Sequence, residues 1–103
     1  MATVRREVIE GKQTQGKDET ITYTITVSPA PTSIVGVYIF DQEASATDIK
    51  TTHMPTGSTS FLASVITLPP LTALVRGHTY RVEVRYSDGV NVIEPYMVVY
   101  CDS

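Results

Sequence analysis

The run Thr20-Ile21-Thr22-Tyr23-Thr24-Ile25-Thr26-Val27 alternates strictly, with Ile21, Tyr23, Ile25 and Val27 at one parity and four threonines at the other. A period of two sends these sets to opposite faces of a pleated strand and does not fit the 3.6-residue period of a helix. β-Branched side chains, stiff at χ1, suit that pleated surface. The segment is expected to be a strand with one face in a core and one in water. It stops at Ser28-Pro29-Ala30-Pro31-Thr32-Ser33, where two prolines remove ladder donors and fix φ, so the chain turns or crosses over.

The same grammar continues along the chain. Ile34 to Phe40 reads as a second strand covered on both faces, with Val35, Val37 and Ile39 on one side and Ile34, Tyr38 and Phe40 on the other. From Asp41 to Gly57 the pattern weakens into an acidic loop, with one short edge strand near Asp48 to His53. Ser58 to Leu68 alternates again, Phe61, Ala63 and Val65 against Leu62, Ser64 and Ile66, and is expected to be a buried strand ended by Pro69-Pro70. His78 to Tyr86 and Val90 to Tyr100 form a hairpin around Ser87-Asp88-Gly89, where the glycine supplies positive φ. A three-residue loop there puts Tyr80, Val82, Val84 and Tyr86 on one face with Val92, Tyr96 and Val98, and leaves Glu94 as the misfit. An initial strand at Val4 to Ile9, joined through the polar segment Gly11 to Asp18, makes about seven strands; residues 1–18 can alternatively be an N-terminal arm. No helix is signalled. With 103 residues the chain can bury one core, so residues 1–103 are expected to form a single domain.

Composition narrows the function classes. Apolar residues at 42% and charged residues at 18% are globular values, and no apolar run is long enough to span a bilayer, so no membrane partner is expected. The net charge of −3 is scattered, without the basic stripe that neutralises phosphates, which argues against nucleic acid. Met1-Ala2-Thr3-Val4-Arg5-Arg6 is followed by no apolar h-region, and assembly in a cytoplasm is the expectation. The lone Cys101 reads as a small hydrophobe rather than half of a disulfide. There is no Gly-rich phosphate loop, nucleophile elbow or metal-spaced Cys/His set. His53 and His78 read as surface residues, and Asp41, Glu43 and Asp48 as a solvated loop lacking the Gly-pivoted order of a calcium site. The expectation is a protein that is not an enzyme, with no cofactor, no metal and no small-molecule substrate.

Leu71, Leu74, Gly77 and Tyr80, followed by Val82 and Val84 at alternating spacing, resemble the tyrosine corner of immunoglobulin-like and fibronectin type III domains. In such a corner a Tyr hydroxyl bonds a backbone group of the crossing chain, and Tyr80 is the candidate. The resemblance implies an all-β fold, an antiparallel immunoglobulin/fibronectin III-like sandwich. The chain lacks Trp, which leaves Tyr23, Tyr38 and the corner to fill its centre. In that order the strands Ile34 to Phe40, His78 to Tyr86 and Val90 to Tyr100 share one sheet. Its outward face then carries Arg81, Glu83 and Arg85, flanked by Ile34, Tyr38 and Phe40 on one strand and Ile93, Met97 and Val99 on the other. Aromatics, Met and Arg are enriched in interfaces, so Tyr38, Phe40, Arg81, Arg85, Ile93 and Met97 are the interface candidates.

Asp48 through Val84 also carries Met54 before a turn, Gly57-Ser58 opening a strand, Leu71 and Leu74 ahead of Gly77, and Thr79-Tyr80-Arg81-Val82. This resembles small immunoglobulin-like accessory proteins of tailed bacteriophages, the capsid decoration or head and neck components of virions. The resemblance implies a non-enzymatic structural protein of the virion, a homo-oligomer whose partner is a phage capsid or neck protein. The alternative is a fibronectin III-like accessory or glycan-binding module of an extracellular enzyme. A small hydrolase or metal enzyme is a third class, for which the sequence offers no constellation.

Overall fold

The computed structural model describes residues 8, 11–42 and 50–102. Its strands are β1 (Gln13–Gln15), β2 (Thr24–Thr26), β3 (Ser33–Asp41), β4 (Ser60–Leu62), β5 (Val65–Thr67), β6 (Thr79–Ser87), β7 (Val92–Ile93) and β8 (Tyr96–Cys101). They form two sheets. The larger runs β1-β8-β6-β3 with β7 also paired to β6, and the smaller runs β2-β5-β4. All pairs are antiparallel except β1 with β8, which is parallel. Inward side chains of both sheets form one apolar cluster, including Ile25 and Ile66 from the smaller sheet and Ile39, Val82, Val84 and Val99 from the larger. The fold is therefore all-β, built of two antiparallel-dominated sheets. Each fully buried apolar side chain in it contributes roughly 1.5–3 kcal/mol.

The Thr20 to Val27 alternation survives as a burial pattern: Ile25 and Val27 are buried while Thr20, Thr22, Thr24 and Thr26 face water. Only Thr24–Thr26 joins a ladder, and upstream of it Ile21 makes a single bridge to Leu71. The Ser28–Pro29 peptide is cis, and the Tyr86 hydroxyl donates to the Pro29 carbonyl at 2.8 Å, tying this connection to β6.

In β3 the register against β6 shifts between Ile34 and Gly36, so Val35 is an extra, bulged residue. The bulge reverses the expected parity at this end: Ile34 packs against the core and Val35 is exposed, while Val37 and Ile39 stay inward and Tyr38 and Phe40 stay outward.

Ser58 to Leu68 is not one buried strand. The chain reverses at Ala63-Ser64 to pair β4 with β5, leaving Ile66 buried and Phe61, Leu62 and Val65 exposed. Small residues at the midpoint accept the tight turn, although Ala63 pays for it with φ of 53°. Lys50–His53 is a helical turn rather than an edge strand. The candidate strand Val4 to Ile9 lies outside the described residues except for Val8, which is buried and donates its N–H to the Tyr96 carbonyl at 2.9 Å.

The β6 hairpin closes differently from the three-residue expectation. Ser87 pairs with Val92 and Tyr86 with Ile93, so the loop is Asp88 to Asn91. The parity of the second arm inverts, and Ile93, Met97, Val99 and Cys101 face the core instead of Val92, Tyr96 and Val98. The physical reason is Glu94: this register sends its carboxylate to solvent and buries Pro95, whereas the other would bury a charge. Val84 N–H still donates to the Pro95 carbonyl at 2.9 Å, but the proline has no N–H to return, which splits the arm into β7 and β8. The loop is held by the Asp88 carboxylate, which accepts from the N–H groups of Val90 at 2.8 Å and Asn91 at 2.6 Å. These bonds hold its pKa below the usual carboxylate value.

The segment Gly11 to Asp18 is more than a linker, because it contains the parallel edge strand β1. Gln15 is its buried anchor. Its Nε2 donates to the carbonyls of Leu71 at 2.8 Å and Glu19 at 2.9 Å, and its Oε1 accepts from the Tyr23 hydroxyl at 2.9 Å. Burial, with Glu19 nearby, raises the pKa of that phenol, which stays a neutral donor. The Tyr80 hydroxyl in turn accepts the Val75 N–H at 2.7 Å, and its ring is fully buried.

Gln15→Leu keeps the volume and strips all three bonds, and is expected to cost about 1–3 kcal/mol in urea unfolding. Asp88→Ala is expected to lower Tm at neutral pH. Because the folded pKa lies below 3.8, the wild-type advantage is present above that value and fades as pH falls through the lower folded pKa. Melts of both proteins at pH about 7 and about 2 check this, the two Tm values converging in acid.

Candidate docking face

Alternation along β6 directs Tyr80, Val82, Val84 and Tyr86 to the core and Arg81, Glu83 and Arg85 to the outer face of the larger sheet. Pairing with β3 sets Phe40 opposite Arg81, Tyr38 opposite Glu83 and Gly36 opposite Arg85. On the other side Tyr96 lies opposite Glu83 and Val98 opposite Arg81.

Glu83 is the hub. Its Oε1 accepts from Arg85 Nε at 3.3 Å and from the terminal nitrogen of Arg85 at 3.2 Å, and its Oε2 accepts from Arg81 at 3.3 Å. The Glu83 side chain is only 9% exposed, which two cationic partners make tolerable. Arg85 Nε also lies 3.2 Å from the Glu94 carboxylate. Desolvation opposes the charge on Arg85, but the hydrogen bond to Glu83 and the negative charge of Glu94 outweigh it, so its pKa is raised.

Each guanidinium also stacks on a tyrosine diagonal to it. Arg85 lies 4.0 Å from the Tyr38 ring centroid and Arg81 4.2 Å from that of Tyr96. Gly36 makes room for this: a Cβ there would sit 2.8 Å from the Tyr38 hydroxyl and 3.1 Å from two ring carbons. The result is a row of Tyr38, Arg85, Glu83, Arg81 and Tyr96 whose long side chains are already ordered, so binding a partner through them costs less rotamer entropy. Two half-exposed guanidinium groups between tyrosines suit the carboxylates and apolar edges of another protein surface.

Of the six interface candidates, Tyr38, Phe40, Arg81 and Arg85 share this face, whereas Ile93 and Met97 are buried in the core. Val99, expected outward, is buried as well, and Tyr96, Val98 and Tyr100 take the outward positions on β8. The inverted hairpin parity accounts for the whole exchange. Glu94 was the signal in the sequence, since the register that exposes it also exposes Tyr96.

His53 and Asp41 differ from their reading as solvated groups, while His78 is partly exposed. His53 is buried, edge-on to Tyr80 at 4.9 Å between centroids, with Nδ1 at 3.1 Å from the Thr72 carbonyl. Asp41 is buried at the end of β3, its carboxylate 2.6 Å from Nδ1 of His78. Glu43 and Asp48 lie outside the described residues. Among the described residues, no group of three or more His, Cys, Asp and Glu could hold a metal ion.

No protein-family model matches the chain, and no curated protein matches it.

Glu83→Ala removes the carboxylate shared by Arg81 and Arg85, each two residues from it on one face. A loss of about 1–3 kcal/mol is expected in urea unfolding, with Glu83→Gln intermediate because it keeps an acceptor.

Proposed function

We propose that the chain is a non-enzymatic structural protein of the virion with an immunoglobulin/fibronectin III-like sandwich, a capsid decoration or head and neck component that docks through the outer face of its larger sheet. The virion assignment rests on the resemblance carried by Asp48 to Val84. The observation that carries the docking role is the ordered Tyr38–Arg85–Glu83–Arg81–Tyr96 row, with Phe40 and Val98 beside it. Tyr and Arg dominate the energetics of protein interfaces, and here they are presented without further ordering. Their partner is a capsid or neck subunit, assembled with the chain in the host cytoplasm.

The alternative, a glycan-binding module, needs open aromatic faces on which sugar rings stack. The guanidinium groups of Arg85 and Arg81 already cover one face each of Tyr38 and Tyr96.

Co-sedimentation with tailed-phage capsids tests the reading. Wild type is expected to pellet with its cognate capsid, and Tyr38→Ala/Arg85→Ala, checked for folding by circular dichroism, to bind at least about tenfold more weakly. A wild-type protein that ignores capsids and binds polysaccharide instead overturns it.

A further inference from the structure

Arg81 and Arg85 are not equivalent, although each stacks on a tyrosine and reaches Glu83. Arg85 donates Nε and a terminal nitrogen to Glu83 and lies 3.2 Å from the Glu94 carboxylate, so two negative groups share its charge. Arg81 makes one hydrogen bond among the described residues, from a terminal nitrogen to Glu83. Its Nε is shielded from solvent and has no acceptor. A guanidinium carries five N–H donors in a fixed fork, so the fold leaves most of the bonding capacity of Arg81 unused.

The neighbours of Arg81 do not make up the deficit. Across the sheet it lies between Phe40 on β3 and Val98 on β8, neither of which has a side-chain acceptor. Further along β8 the outward Tyr100 carries a cation as well, the Lys12 ammonium at 5.3 Å from its ring centroid. Glu83 is only 9% exposed, whereas the Arg81 side chain is 31% exposed. What a partner meets around Arg81 is therefore cationic with apolar flanks, on a chain whose net charge is −3.

We infer that Arg81 is the anchor of the docking face and that the partner surface brings an Asp or Glu carboxylate to it. The carboxylate accepts from the terminal nitrogens, since Nε is shielded, and Phe40, Tyr96 and Val98 form a rim that keeps water from the pair. Glu83 beneath the site repels a doubly charged phosphate more than a single carboxylate and so selects the latter. Arg85 orders the row, and Arg81 reads the charge of the partner. This rests on the reading of the face as a docking surface and adds the charge that its partner must carry.

Titration of the isotope-labelled chain with oligoglutamate, read on the Arg81 Nε–H signal and the backbone amides of Phe40, Tyr96 and Val98, is expected to give saturable shifts that oligolysine and inorganic phosphate do not reproduce. Arg81→Gln is expected to weaken oligoglutamate binding at least about tenfold, and Arg81→Lys, which keeps the charge and loses the fork, to fall between. Lys17→Gln makes the same change of charge at an exposed lysine paired with Asp18, and is expected to leave binding unchanged. Phosphate or oligolysine that moves the same signals as far, or an Arg81→Gln chain that binds oligoglutamate as tightly as wild type, overturns the inference. A wild type that pellets with capsids while oligoglutamate leaves Arg81 unmoved overturns the acidic partner alone. A wild type that ignores capsids while oligoglutamate binds at Arg81 supports the acidic partner and overturns the virion reading.

Discussion

The larger sheet depends on the two-faced burial of β6. Tyr80, Val82, Val84 and Tyr86 point into the core while Arg81, Glu83 and Arg85 point out, and β3, β7 and β8 all take their register from this strand. A one-residue slip would exchange the faces, burying two guanidinium groups and a carboxylate where apolar packing now stands. The hydrogen bonds of Tyr80 to Val75 and Tyr86 to Pro29 extend that hold to the connecting segments. Gln15 serves the same purpose at the parallel edge, where its buried amide bonds the Leu71 and Glu19 carbonyls and the Tyr23 hydroxyl.

Because the core fixes β6, the outer face is a consequence of it. Arg81 and Arg85 are four residues apart on one strand and share a side by pleat geometry alone, and Glu83 between them neutralises what would otherwise be a repulsive pair. Gly36 leaves open the space that the tip of Tyr38 occupies, and the bulge at Val35 beside it swings Ile34 into the core. The two sheets thereby differ in character: one presents a charged and aromatic surface, the other a neutral one.

The strand character of residues 20–27, the core parity of β6 and the outward positions of Tyr38, Phe40, Arg81 and Arg85 follow from the sequence, because period-two alternation is a local property that survives folding. What failed was parity across interruptions. The bulge at Val35, the reversal at Ala63-Ser64 and the hairpin loop at Asp88 to Asn91 each change the count, so that the two sides of each interruption no longer share the expected parity. Ile93 and Met97 changed sides for that reason alone, and the buried states of His53 and Asp41 depend on partners far along the chain.

By itself the sequence determined that this protein is built of strands and which side chains of each uninterrupted strand travel together, since both depend on nearest neighbours and the pleat. Only the tertiary structure decided how those strands are joined in register, and hence which of two apolar sets on the last arm became core and which became surface. The reason is energetic: the choice compares the burial of Glu94 with that of Pro95, and that comparison exists only once β6 provides a core for the arm to face.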